Sequence, residues 1–282
     1  MTNQWHKCIG IMLLTAPLVH FSVSDCLADE PAAKADQKGQ VEASASRGQE
    51  TPKREPAAME ALSKMGKYLN SLKSFTVTSE MSLDEVLLNG QKILVTGTTE
   101  YLTQLPNHLK VTSKIGEIGL DNVYYYDGST FTIYSLPEKY YTSFAAPATI
   151  GQLLDLAEDR YNVELPLRDL FWWSTAKART EDIISASFIA ISPVDGTPCN
   201  HYAFQQDDVD WQIWIENDDT PLPRRLVITS KLETGQPQYI ARLTWEVNPR
   251  IPGNAFIFTP PEGARKIGIA VYDENDQPTT NQ

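Results

Sequence analysis

Between Val194 and Val247 the chain reads V-D-G-T-P-C-N-H-Y-A-F (194–204), V-D-W-Q-I-W-I (209–215), P-L-P-R-R-L-V-I-T (221–229) and P-Q-Y-I-A-R-L-T-W-E-V (237–247). In each run apolar and polar residues alternate, and Asp, Asn, Gly or Pro stands between one run and the next. A period of two puts alternate side chains on opposite faces of an extended strand, and turn residues between such runs reverse the chain. The spacing predicts antiparallel strands over Cys199–Gln205, Val209–Glu216, Arg224–Lys231 and Gln238–Val247. Trp211, Ile213 and Ile215 share a face of the second; Tyr239, Ala241, Leu243 and Trp245 share a face of the last.

Upstream, Ala186–Ile191 is one more strand, and before it the period changes. Thr149-Ile-Gly-Gln152 fits a capping box, and Leu153, Leu156, Ala157 and Tyr161 recur at helical spacing. P-L-R-D-L-F-W-W (166–173) reads as a second, shorter helix. Earlier still, Asn89-Gly90 and Asp127-Gly128 each sit between alternating runs and predict hairpins. A two-residue turn at the latter would set Tyr124 opposite Phe131. The apolar phase switches near Asp84-Glu85, which predicts a bulge. Met59, Leu62, Met65, Leu69 and Leu72 mark a helix over 56–72, with Pro56 at its start. A helix, several strands, a helical insert and further strands make an α+β plan: a large curved antiparallel sheet, a half-barrel, with helices covering its concave face. Alternation alone does not choose which face is concave.

The ends are of a different kind. His6 and Lys7, an apolar run over 8–19, and the small residues Ser22, Ser24 and Ala28 form the pattern of an export signal, with cleavage expected after Ala28 and Ser24 as the second choice. That run is shorter than the ~20 residues a membrane span needs. Cys26 raises lipidation, but Asp25 stands where a small residue is wanted. Residues 29–56 hold a single strong hydrophobe, Val41, and read as a flexible leader. Residues 57–270 are the expected domain and 271–282 a flexible tail. Loss of 1–28 removes one Lys and one Asp, so the formal charge stays at −12. Such acidity argues against nucleic acid as a partner. It also leaves Cys199 as the lone cysteine, so no internal disulfide forms.

Candidate chemistry is sparse. Cys199 and His201 form a thiol–imidazole pair if their strand is regular; the plain alternative is a buried thiol beside a hydrogen-bonded histidine. Asp207, Asp208, Asp210, Glu216, Asp218 and Asp219 are loop-end carboxylates without the spacing of a calcium loop. Arg224 and Arg225 are candidate anion contacts for a lipid phosphate or carboxylate, against a salt bridge to the acidic turn or stacking on a Trp. No H-E-x-x-H, G-x-S-x-G, P-loop or G-x-G-x-x-G is present. The expectation is no catalytic residue, no metal and no cofactor.

Several stretches together resemble one bacterial family. They are Y-D-G-S-T-F-T-I-Y-S (126–135), P-A-T-I with L-L-D-L-A and Y-N-V-E-L-P-L-R-D-L (147–170), V-D-G-T-P-C-N-H (194–201), V-D-W-Q-I-W-I, P-L-P-R-R-L-V-I-T, and F-I-F-T-P-P-E-G-A (256–264). The chain resembles the predicted periplasmic proteins called DUF2092 over nearly all of 57–268. More distantly it is similar to the LolA-like lipoprotein-carrier half-barrels, some of which hold acyl chains while others sense envelope stress. That resemblance implies a periplasmic protein with a lipid, acyl chain or lipoprotein segment, and an envelope protein, as candidate partners. The lining expected for the hollow is Phe131, Trp211, Ile213, Ile215, Leu226, Ile228, Tyr239 and Leu243.

Overall fold

The computed structural model describes residues 53–116, 119–173, 175–272 and 278–279, all of which belong to one unit of the chain. The expected signal over 1–28, Cys26 within it, and the leader as far as 52 lie outside the described residues. The chain opens with helix α1 (Pro56–Ser71) and continues through β1 (Ser74–Val86), β2 (Lys92–Gln104), β3 (His108–Ile115), β4 (Leu120–Tyr126), β5 (Thr130–Ser135) and β6 (Tyr140–Ala145). Helix α2 (Ile150–Tyr161) and short 3-10 turns at Arg168–Phe171, Ala176–Ala178 and Thr180–Asp182 form an insert. The chain then makes β7 (Ser185–Ile191), β8 (Cys199–Gln205), β9 (Val209–Glu216), β10 (Pro223–Ser230), β11 (Gln238–Val247) and the two-residue β12 (Arg265–Lys266).

These strands form one 12-stranded sheet in the order β12-β6-β5-β4-β3-β2-β1-β11-β10-β9-β8-β7. Every pairing is antiparallel except β12 on β6. The sheet is two meanders joined along β1 and β11, where Phe75 faces Val247 and Leu83 faces Tyr239. It curls far enough for one apolar cluster to collect side chains from both meanders, from α1 and from the insert. Alternation made this possible: Phe75 and Val77 on β1, Tyr101 on β2, Leu109 and Val111 on β3, and Ile213 on β9 are all buried on the same, concave face.

Helix α1 buries Ala58, Leu62, Met65 and Leu69 on one stripe, as period 3.6 requires. Thr149 caps α2: its Oγ1 accepts the Gln152 N–H at 3.3 Å. Lys53–Glu55 lie against β7, where Ala186 N–H donates to the Lys53 carbonyl and Glu55 N–H to that of Ala186. At the other end Val271–Tyr272 pair with Pro278–Thr279.

Several expectations are corrected. β1 and β2 pair without interruption from Ser74↔Gln104 to Val86↔Lys92, so there is no bulge at Asp84-Glu85. The change of phase marks the place where the hairpin leaves the core: Leu88 is fully exposed. Phe131 faces Tyr126, and Tyr124 faces Ile133. The turn is longer than two residues, because the Asp127 carboxylate accepts the Ser129 and Thr130 N–H groups at 2.9 and 2.8 Å and Gly128 takes φ +95°. Tyr124 still stacks on Phe131, diagonally, at 6.1 Å. Residues 166–173 make only the 3-10 turn Arg168–Phe171 rather than a helix of their own. Strand β6 was not anticipated.

Candidate functional site

The site is the concave face and the insert that roofs it. Strands β4, β5, β8, β9, β10 and β11 each present alternate residues inward. All the residues expected to line a hollow are on this face. Phe131, Trp211, Ile213, Ile215, Leu226, Ile228 and Leu243 are buried there, and Tyr239 packs against them half-buried. They fall into two groups. Ile213 faces Leu226, Trp211 faces Ile228, and Leu226 faces Ala241, so the β9–β11 residues form one patch. Phe131 lies on the other meander, against Phe144 at 5.3 Å.

The insert meets the sheet through aromatic and polar contacts. Phe171 lies 6.2 Å from Phe75 and 5.9 Å from Tyr101. Trp173 lies 5.6 Å from Trp211, which stacks on Phe204 at 4.1 Å. The Trp211 Nε1–H donates to Gln206 Oε1 at 2.9 Å. On the other meander Phe144 stacks on Tyr161 of α2 at 3.9 Å. From the sheet, the Tyr101 and Tyr126 hydroxyls donate to the carbonyls of Pro166 and Pro147. Burial pushes the Tyr101 phenol well above its usual range, so it remains a donor. From α1, Asn70 Nδ2 donates to the Trp173 carbonyl at 3.0 Å. Inside the insert Arg168 is buried between Glu158 and Glu164, the latter at 3.8 Å, and lies 4.7 Å over the Trp172 ring.

Where the turn after Leu167 crosses β9–β11 a crevice remains, lined by Leu167, Leu170 and Trp173 on one side and Ile213, Leu226 and Leu243 on the other. Its open space is about 10 Å³, room for one water molecule at most. Asp169 and Pro223 complete its rim. Ile213, Leu226 and Leu243 are among the residues expected to line a hollow, and helices are expected to cover it, but Leu167 and Leu170 are not among the expected lining. The available signal was local: Glu164 and Arg168 stand four apart, a spacing that pairs charges on helical turns.

The other candidates sit elsewhere. Arg224 pairs through Nε with Glu216 Oε1. Arg225 lies 4.9 Å over Trp214, on the convex face, where Trp214, Val194, Cys199 and Val227 form a small separate cluster. Cys199 and His201 do share that face, since they face Glu216 and Trp214 across the ladder. They do not engage each other. The Cys199 thiol donates to the Thr197 carbonyl at 3.3 Å, and His201 stacks on Trp214 at 3.8 Å with Nε2 3.0 Å from Gln212 Oε1. Burial pushes the thiol up and the imidazole down, so the ion pair that makes a cysteine nucleophilic is disfavoured on both sides. We expect the chain lacking residues 1–28 to resist thiol-specific reagents while folded and to label once denaturant unfolds it. Rapid labelling of native protein in a mass assay would contradict this placement.

The acidic loop ends are used locally. Asp210 accepts from Gln205 Nε2 at 3.2 Å and lies 3.4 Å from Lys231 Nζ; Asp218 caps the Thr220 N–H at 2.7 Å. Among the described residues no three His, Cys, Asp or Glu side chains are grouped to hold a metal ion, and no helix is long and apolar enough to cross a membrane.

Among solved structures, the chain is similar to MucB at 12% identity and TM-score 0.43, over 73% of this chain and 64% of that one. It is similar to the lipoprotein LppX of Mycobacterium tuberculosis at 12% identity and TM-score 0.43, over 70% of this chain and 98% of that one. A LolA-superfamily protein of Nitrosomonas europaea matches at 10% identity and TM-score 0.34, over 71% and 97% of the two chains. No curated protein matches the sequence. Residues 58–270 match the model of DUF2092, described as a predicted periplasmic protein, and the chain belongs to that family.

Proposed function

We propose that this protein binds a lipid, an acyl chain or the acylated segment of a lipoprotein between the concave face of its sheet and the insert over 147–182. The observation that carries this reading is how the face is covered. It is largely apolar on both meanders, with Ser79, Thr99, Thr103 and Ser113 buried where β1, β2 and β3 pair. Its roof is attached mainly by side chains, with the Ile150 N–H on the Pro106 carbonyl at 2.9 Å as a backbone tie, rather than by a ladder. With about 10 Å³ open, an acyl chain enters only if the insert lifts from β9–β11. Ligand would then replace Leu170 and Trp173 against Ile213, Leu226 and Leu243. The driving term is apolar surface taken from water, about 25 cal/mol per Å².

Native mass spectrometry of the protein purified from its periplasm, followed by organic extraction, tests this. Lipid released in near-stoichiometric amount supports the reading. A lipid-free mass, together with no binding of a fluorescent fatty acid, sinks it. Trp173 and Trp211 provide an internal signal, because ligand entering the crevice alters both indoles. Leu226→Trp should fill the crevice and abolish fatty-acid binding. Over-packing of this kind costs about 1–3 kcal/mol, so the variant should still melt cooperatively. Unchanged affinity in a folded Leu226→Trp protein would move the site elsewhere.

A second reading is a protein-interaction or envelope-stress-sensing module without stable lipid cargo. What favours it is β7, the last strand of the sheet. Among the described residues its outer edge is engaged by Lys53–Glu55 only as far as Phe188, whose N–H donates to Glu55 Oε2 at 2.9 Å. Beyond lie Ile189 and Ile191, 50% and 64% exposed. A partner peptide adding a strand there would use main-chain hydrogen bonds. A stoichiometric protein partner recovered with no lipid, and lost on Ile191→Pro, would favour this reading.

A further inference from the structure

The hairpin of β1 and β2 outruns the sheet. On one side β11 ends its pairing at Leu83↔Tyr239; on the other β3 ends at Gly97↔Ile115. Past those points Asp84↔Leu94, Glu85↔Ile93 and Val86↔Lys92 pair only with each other. At about 3.3 Å per residue this ribbon projects roughly 10 Å before its turn. It is apolar where it leaves the protein: Leu88 is 100% exposed, Leu94 61%, and Leu87 and Ile93 38% each. Leu232, 59% exposed, lies on the neighbouring β10–β11 turn. That turn is held to the ribbon by Lys92 Nζ on the Gln236 carbonyl at 3.3 Å and by the Gln238 N–H on Asp84 Oδ2 at 3.2 Å.

We propose that this paired tip inserts into the interfacial layer of a lipid bilayer and seats the protein on a membrane surface. The proposal does not depend on what the concave face carries. Three features favour lipid over a protein partner. First, the aliphatic side chains surround the tip. Ile93 and Leu94 are consecutive and point to opposite faces, and Leu87 and Leu88 follow at the apex, so the shape suits entry end-on rather than contact with a flat surface. Second, three of the five N–H groups over 87–91 are satisfied from within. Leu87 N–H donates to the Gln91 carbonyl, Gly90 N–H to that of Leu87, and Gln91 N–H to Asn89 Oδ1. A segment entering a water-poor layer needs that. Third, the exposed tip is rich in Leu, which is under-represented among protein hot spots but common on faces seated in the interfacial layer.

Most of the charges at its base are engaged, although Glu85, opposite Ile93, has no ion pair among the described residues. Lys92 pairs with Asp84 at 3.1 Å, Lys231 lies 3.4 Å from Asp210, and Glu233 accepts from the Ser230 hydroxyl at 3.0 Å. With a formal charge of −12 the chain has no general attraction for anionic lipid. The contact is hydrophobic, and salt should leave it unchanged.

Flotation of the chain lacking residues 1–28 with vesicles of pure phosphatidylcholine provides the test. The protein should float with the vesicles, equally at low salt and at roughly 0.5 M salt, where exposed charges are screened. Leu88→Ser and Leu94→Ser should each weaken binding about tenfold, from the apolar area removed. Both positions are exposed, so the melting temperature should not move. Leu136→Ser, on the exposed β5–β6 turn, should bind as the parent does. The tip variants should keep whatever free fatty-acid binding the parent has, which separates this contact from the crevice. The proposal is overturned if the parent stays at the bottom of the gradient, if the tip variants float as well as the parent, or if binding requires anionic lipid and is lost in salt. Loss of a stoichiometric protein partner from the tip variants, with no vesicle binding by the parent, would equally overturn it.

Discussion

Arg168→Ala should lower the melting temperature by about 10 °C. The guanidinium is 4% exposed and lies between Glu158 and Glu164, whose side chains are 8% and 13% exposed. Removing it leaves two carboxylates in poor contact with water and facing each other's charge. Breaking a buried ion pair from one side costs about 3–5 kcal/mol, and for a domain of this size each kcal/mol is worth roughly 2–4 °C. The residue joins α2 to the turn at Arg168–Phe171, so the loss should be felt first in the insert. Arg168→Lys keeps the charge but not the planar fork or the stacking on Trp172, and should recover only part of the loss. Arg168→Met combined with Glu158→Gln and Glu164→Gln should sit closer to the parent than Arg168→Ala does, since no unpaired charge is then buried. Thermal unfolding followed by circular dichroism measures all three. Equal melting of Arg168→Ala and the parent would mean that the cluster is solvated.

Trp211→Ala is the second large effect. The indole is 4% exposed, stacked on Phe204 and packed against Trp173. Truncating a buried Trp costs about 3–5 kcal/mol through lost contacts and the void left behind. The change also strands the side chain of Gln206, which is 2% exposed and accepts the indole N–H. An unpaired buried polar group costs about 1–3 kcal/mol more. We expect either a melting point lower by at least 10 °C, on the same conversion, or a chain that no longer folds cooperatively. Trp211→Phe should be much milder in packing and should isolate the polar part. Trp214→Ala, on the convex face, should cost less, because its partners His201 and Arg225 remain in contact with water. Chemical denaturation of the three variants gives the ranking, and Trp214→Ala as the most damaging would contradict the assignment of faces.

How much of this could be read beforehand depended on whether a strand has one wet face. β8 and β9 could be placed to the residue because their inner positions, Asn200 apart, are apolar and most of their outer ones polar. β6 escaped because its surroundings remove that contrast. Tyr125, Tyr134 and Tyr141 on the outer face all lie against Phe258, at 5.4, 5.5 and 5.0 Å. Covered on both sides, Y-Y-T-S-F-A has no clear period of two. Phe258 itself lay in a quoted motif, but its partners are more than a hundred residues away. The candidate site divides in the same manner. The shared face of Trp211, Ile213, Leu226 and Leu243 follows from alternation. That the hollow is filled by Leu170 and Trp173 follows only from where the insert lies in space. The two arginines illustrate the limit on charges: the sequence offers a salt bridge to the acidic turn and stacking on a Trp, but not that Arg224 takes Glu216 and Arg225 takes Trp214.

The seam between β1 and β11 has a consequence for how the molecule comes into being. Each meander is built from neighbours in sequence and can assemble as soon as it is made. The ladder that joins them ties Phe75 to Val247, so it cannot close before almost the entire polypeptide is available. Contacts of such long range fold slowly. A polypeptide delivered through a pore from its N-terminus would therefore have no closed core during transit. It would stay pliable for as long as threading lasts, and lock only on arrival.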